Sequence, residues 1–171
     1  MMKIVTIDNK KDEGFLKTPT EEIDLKKEDK KELRKLIKNM RKKMIETDGV
    51  GLSANQVGIN KKIFVAQIPD ENGKPKFYAV INPKITKKYS ETNIMNEGCL
   101  SVPGIYGPVE RPNRVILEGE NLEGKKIKIK AWGFLARVFQ HEIDHLNGKL
   151  FTDKAKSTFK MGERDEEIRE I

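Results

Sequence analysis

Both histidines of the chain fall in one pentapeptide, His141-Glu142-Ile143-Asp144-His145. The surrounding segment, residues 134–147, reads as a helix, and Gly148 is placed to end it. Residues four apart stand one turn above each other on a helical face, so two imidazoles at this spacing can close on one metal ion. Glu142 directly follows the first of them, as in the H-E-x-x-H pattern of metal-dependent hydrolases. A helix that merely carries two surface histidines is the plain alternative, and the adjacent glutamate argues against it. The fold must therefore carry this helix and bring a further ligand to it from elsewhere.

At 171 residues the chain is expected to be one domain, residues 1–171, large enough for one core and too small for a second. The net charge of +7 comes mostly from lysines interspersed with acids, which reads as a solvated surface. Its sign allows contact with an RNA-rich partner. No aromatic-basic pattern of an RNA-reading module accompanies it, so no specific nucleic acid is expected. Cys99 is the only cysteine, which rules out an intramolecular disulfide and favours a reducing compartment. The N-terminus turns polar by Asp8, too early for a signal peptide, and no run approaches a membrane span. A cytoplasmic location is expected.

Residues 3–7 can form a short strand, and residues 9–24 read as a polar, extended arm. Over residues 28–47 the apolar positions Leu33, Leu36, Ile37, Met40, Met44 and Ile45 make a helical stripe. A glycine-flanked stretch, residues 48–56, follows and suits a backbone that something must approach closely. Residues 62–68 and 77–81 are β-rich; Asn82-Pro83 closes the second run, and residues 85–92 form another strand. Residues 97–112 hold Cys99 and three prolines and read as irregular backbone between strands. Residues 114–120 and 125–131 alternate around residues 121–124 and predict a hairpin. Beyond Phe151 the chain is polar, and a short C-terminal helix is expected there.

Two histidines leave a tetrahedral ion short of a third protein ligand, and the sole cysteine is the natural candidate, as a thiolate. A buried small hydrophobe is the other common fate of a lone cysteine. Here Cys99 sits between Gly98 and a Ser-Val-Pro turn. Two His and one Cys would leave the fourth position for water, which is the catalytic arrangement.

Three motifs now stand in order: GVGLSANQ at 49–56, EGCLS at 97–101 and QHEIDH at 140–145. Together they resemble those of the peptide deformylases, which remove the formyl group from the N-terminal methionine of new bacterial and organellar proteins. The resemblance implies an α+β fold: antiparallel sheets packed around a central helix carrying HEIDH, a long N-terminal helix and a short C-terminal one. It implies Cys99, His141 and His145 as ligands of one ion per chain, usually Fe²⁺, with Zn²⁺, Ni²⁺ or Co²⁺ able to substitute. It makes Glu142 the general base and acid and turns Gln56 and the backbone N–H of Leu100 toward the formyl oxygen. Val50, Phe134 and Val138 match the methionine pocket, while Gly49 and Gly51 admit the substrate backbone. Glu97 and Arg111 match a pair that braces the Cys99 loop. Ser53 stands where many relatives have alanine, a change expected to be tolerated. Arg137, one turn before His141, is either a contact near the site or an exposed helix residue.

By the same resemblance the substrates are N-formylmethionyl peptides of nascent chains, water activated by the ion is the nucleophile, and the basic surface allows contact with the ribosome. A monomer is expected. Two rival readings stay open. A metalloprotease shares H-E-x-x-H but usually draws its third ligand from downstream of the helix, where this chain has no histidine. A ribosome-binding protein that has lost its chemistry would usually lack a ligand or the base, and all of these are present.

Overall fold

The computed structural model describes residues 2–161. In chain order they form α1 (Lys10–Leu16), α2 (Lys30–Glu46), β1 (Gly51–Ser53), β2 (Ile63–Pro69), β3 (Pro75–Lys88), β4 (Thr92–Cys99), β5 (Val102–Pro112), β6 (Arg114–Glu120), β7 (Lys126–Trp132), α3 (Gly133–Leu146) and β8 (Phe159–Lys160). Among the described residues these strands make a five-stranded antiparallel sheet, ordered β1-β2-β3-β6-β7, and a three-stranded one, β4-β5-β8. This is an α+β fold.

The middle of the larger sheet is buried on both faces. Along β2 the side chains alternate, so Ile63 and Val65 join Leu33, Ile37, Met40 and Met44 of α2, while Phe64, Ala66 and Ile68 join α3. The α2 stripe begins where Asp29 accepts hydrogen bonds from the N–H groups of Lys31 and Glu32. On the far side, Phe139 of α3 meets the rings of Phe64 and Tyr78 at centroid distances of 5.5 and 5.2 Å. The opposite face of α3 is polar. Arg137, Gln140, His141 and Asp144 turn to the β4–β5 pair and bond to it. The central helix is therefore held to one sheet by apolar burial and to the other by hydrogen bonds and charge.

Several expectations change. Residues 3–7 add no strand; the N–H groups of Val5 and Ile7 instead bond Gln56 O and Ser101 O, at 2.8 and 3.0 Å. Within the polar arm, α1 forms because Asn9 caps it through Asp12 N and Leu16 is fully buried against Val102, Val109, Leu150 and Phe151. Asn82 does not end a strand: it takes φ 49°, the register shifts there, and β3 continues to Lys88. Its side chain exchanges two hydrogen bonds with the Ile23 backbone, both 2.8 Å, which fixes the bulge.

Within residues 97–112 the backbone is strand on either side of a turn at Leu100 and Ser101, rather than irregular throughout, with a register shift between Gly98 and Cys99. Among the described residues, only Ile105 and Tyr106 of β5 pair with β8 in a ladder, so its prolines interrupt little of it. The hairpin forms as expected, closed by Gly124 at φ 80°. After Phe151 come a 3-10 turn (Phe151–Asp153) and β8, with no α-helix through residue 161. The rest of the segment expected to be helical lies outside the described residues. Among them, no helix is long and apolar enough to cross a membrane.

Candidate metal centre and active site

The His141 and His145 rings stack edge to face along α3, with their Nε2 atoms 3.1 Å apart. Cys99, at the end of β4, brings its Sγ to 3.1 Å from His145 Nε2, and the three donor atoms all lie within 4.8 Å of one another. Bonds of roughly 2.0–2.3 Å from one ion to two imidazoles and a thiolate fit such a triangle. The donors are also prepared chemically. Burial pushes the Cys99 thiol up, but the charge of His145 and hydrogen bonds to both histidines outweigh it, so the thiol ionises well below its usual range. Gln56 Nε2 and Ser101 N–H donate to the sulfur at 3.3 and 3.4 Å. His141 bonds through Nδ1 to Glu97 Oε2 at 2.9 Å, which turns Nε2 toward the other ligands.

Glu142 is 3% exposed, and its Oε2 has no hydrogen-bond partner among the described residues. Burial is the largest influence and raises its carboxyl to about 7. A carboxylate poised near neutrality beside three convergent ligands is equipped to exchange a proton with water at the ion. Its place depends on Gly51, where an added Cβ would lie 2.8 Å from Glu142 Cδ. The close approach that this glycine permits inside the protein is thus to the glutamate. A Cβ at Gly49 would stand 3.2 Å from a methyl of Leu100 and 3.3 Å from Met44 O.

Gln56 lies in a 3-10 turn, Ala54–Val57, that acts as its own cap. Its Oε1 faces the N–H and hydroxyl of Ser53, at 3.0 and 2.9 Å; an N–H can only donate, so the amide must present Nε2 to the cleft side. Ser53 is therefore part of how Gln56 is held. Neighbouring Asn55 donates to His145 O at 2.6 Å and ties the turn to the end of α3.

Beside the candidate ligands lies a buried charge network, of which Glu97 and Arg137 reach the cleft wall. Among the described residues Glu97 receives four hydrogen bonds: Arg111 Nε at 2.5 Å and Arg137 Nη1 at 2.6 Å on Oε1, Arg111 Nη2 at 2.8 Å and His141 at 2.9 Å on Oε2. Burial opposes its charge, yet Arg111 and His141 hold it far below the usual carboxylate range. Arg111 continues to Asp144 at 2.7 Å, which Lys154 also meets at 2.7 Å. Glu97 and Arg111 do pair, as expected, but the pair reaches a metal-ligand candidate and not only the loop. Arg137 is buried in the same network, so the exposed alternative fails. Sequence reasoning missed Asp144 and Asn93; a charged residue on the inward face of a helix was the available signal.

These groups open into a cleft of about 560 Å³. Gln56, Glu97, Cys99, Leu100, His141 and Glu142 line it, as do Gly49, Val50, Gly51, Phe134 and Val138, while His145 and Arg111 lie behind the wall. Val50 and Phe134 are 41% and 48% exposed, Val138 only 5%, so the apolar side of the cleft has a buried floor and an open rim.

An α+β scaffold whose HExxH helix meets an upstream cysteine beside an apolar cleft defines a metallo-hydrolase. A sequence model of the Polypeptide deformylase family matches residues 1–161. The chain is 50% identical over 119 residues to a peptide deformylase of Halothermothrix orenii, covering 70% of this chain and 75% of that one. It is 47% identical over 142 residues to one of Fusobacterium nucleatum, covering 83% and 79%. Among solved structures, a probable peptide deformylase from Synechococcus phage S-SSM7 superposes with a TM-score of 0.80 at 42% identity, covering 90% of this chain and 99% of that one. A Met-Ala-Ser-bound class I type b peptide deformylase from Acinetobacter baumannii gives 0.81 at 31%, covering 90% and 98%. This chain belongs to the polypeptide deformylase family. It is a hydrolase of a metal-dependent kind, and deformylation of N-formylmethionine is the family's general reaction.

Proposed function

We propose that this single catalytic domain removes the N-formyl group from the N-terminal methionine of newly made proteins, with one ion held by Cys99, His141 and His145. The observation that carries this reading is the convergence of those three donors within 4.8 Å, with the buried carboxyl of Glu142 alongside in the same cleft. Fe²⁺ is the native ion, and Zn²⁺, Ni²⁺ or Co²⁺ replaces it, as a thiolate with two imidazoles suits them all. The Met-Ala-Ser-bound relative supports a peptide beginning with methionine as the occupant of the cleft.

When bound, the ion supplies a Lewis acid for the formyl carbonyl and lowers the pKa of water from 15.7 toward roughly 7. Glu142 takes the proton from the attacking water and passes it to the departing nitrogen, which leaves formate and a free methionine amine. Gln56 Nε2 and the Leu100 N–H donate to the oxyanion as it develops. Glu97, braced by Arg111, keeps His141 in the Nδ1–H tautomer. Val50, Phe134 and Val138 hold the methionine side chain; Gly49 and Gly51 let its backbone lie close. A formyl carbon bears only hydrogen, so a tight site can refuse acetyl.

The protein works in the cytoplasm as a monomer on nascent chains, and its net charge of +7 favours contact with the ribosome surface. The test is formate release from formyl-Met-Ala-Ser by protein loaded with Fe²⁺ or Ni²⁺, alongside acetyl-Met-Ala-Ser and an unformylated internal peptide. Formate from the first substrate alone is expected. Cleavage of the internal peptide would make it a protease, and no turnover at one equivalent of metal would leave only a binding role.

A further inference from the structure

Arg137 stands one turn before His141 and is 4% exposed. Its Nη1 donates to Glu97 Oε1 at 2.6 Å and to Val109 O at 3.0 Å, and its Nη2 donates to Asn93 Oδ1 at 2.7 Å and Asn93 O at 3.0 Å. Asn93 and Glu97 lie on β4 and Val109 on the paired β5, so one guanidinium on α3 grips both strands. Cys99 follows Glu97 by two residues on that same β4. The arginine therefore bridges the element that carries the thiolate and the element that carries the imidazoles. A guanidinium is costly to bury, and packing alone would be met by an apolar side chain, as at Val138 and Phe139 beside it.

We propose that Arg137 is a positioning residue of the metal centre. With Arg111 it holds the Glu97 carboxylate so that Oε2, which also accepts from Arg111 Nη2, faces His141 Nδ1, and through Val109 and Asn93 it sets the distance between Cys99 and the two histidines. This rests on Cys99, His141 and His145 being the ligands, which the unmodified protein tests separately.

The experiment adds Co²⁺ to the metal-free full chain and to its Arg137→Met and Arg137→Lys variants. Affinity is read by chelator competition, and the site by the thiolate charge-transfer and d–d bands. Loss of a partner behind the ligands typically costs about 10–100-fold in metal affinity, and that loss, with altered bands, is expected for Arg137→Met. Arg137→Lys keeps the charge, but its compact ammonium cannot span Glu97, Val109 and Asn93 together, so a smaller loss with the same direction of band change is expected. If Arg137→Met unfolds, Arg137→Lys carries the test alone. Wild-type affinity and bands in whichever variant is folded, with only a lower melting temperature, would overturn the proposal. If the unmodified protein binds Co²⁺ with no thiolate bands, the ligand assignment fails first and takes the proposal with it.

Discussion

Replacing Gly51 by alanine asks whether Glu142 is confined as tightly as the geometry implies. An added Cβ would sit 2.8 Å from Cδ and 3.0 Å from Cγ of that glutamate, and nearer still to Oε1. Carbon atoms pack comfortably at about 3.5 Å or more, so the carboxylate must retreat by roughly 0.7 Å. Displacement of a reacting group by about 1 Å costs on the order of 10²-fold in rate, or about 2.7 kcal/mol in the barrier. Gly51→Ala should therefore lose about 10²-fold in kcat while retaining its metal, because the change touches none of the three donors. Formate release and metal content measured on the same preparation check this. The decisive comparison is the double variant. If Gly51 acts through Glu142, adding Gly51→Ala to Glu142→Ala should cost almost nothing more. A further tenfold loss in that background would show that the glycine's contribution runs mainly through the substrate backbone, not through Glu142. Activity within twofold of wild type in the single variant would refute the confinement outright.

Cys99→Ala leaves two ligands for the ion and should lose most bound metal and nearly all turnover; one retained equivalent by elemental analysis would contradict the ligand set. Glu142→Ala should keep its metal and lose at least ~10²-fold in kcat. Gln56→Ala should also stay loaded, with a loss of roughly 10²–10³-fold, and an inhibitor Kd close to wild type in both would separate chemistry from binding. In the metal-free protein, Glu97 ionises far below its ordinary range of about pH 4, so the stability it contributes is present above that range and is lost as pH falls below it. Urea unfolding between about pH 5 and 3 should then fall more steeply for wild type than for Glu97→Gln; parallel curves would remove Glu97 as the cause.

The long helices and the last hairpin could be read in advance because each obeys one period over many residues. Leu33, Ile37, Met40 and Met44 mark the buried face of α2, and the β6–β7 alternation is interrupted only at its turn. The candidate ligand trio was legible for a different reason: the chain has two histidines and one cysteine, leaving little choice. Helix α1 was not, since its one fully buried residue, Leu16, makes no period, and its burial depends on partners as distant as Leu150. Nor was the continuation of β3 through Asn82, whose left-handed backbone is fixed by a side-chain bond to Ile23, far away in sequence. Prolines and glycines made the Cys99 region look irregular, because a strand with little pairing on one side obeys looser rules than a central one. The network around Glu97 joins β4, β5 and α3, and no local pattern announces a partner fourteen or forty residues away.

The two sources of the proposed ligands have a consequence for the chain as a polymer. Cys99 ends a strand of the small sheet, whereas His141 and His145 belong to a helix buried on the large one. An ion held by all three closes a loop of roughly forty residues, a constraint that, treated like a disulfide, disfavours the unfolded chain by about 4 kcal/mol. Chelation would remove that tether together with the electrophile. The loaded protein should therefore resist proteases at the junction between the sheets better than the stripped one, even when neither is given a substrate.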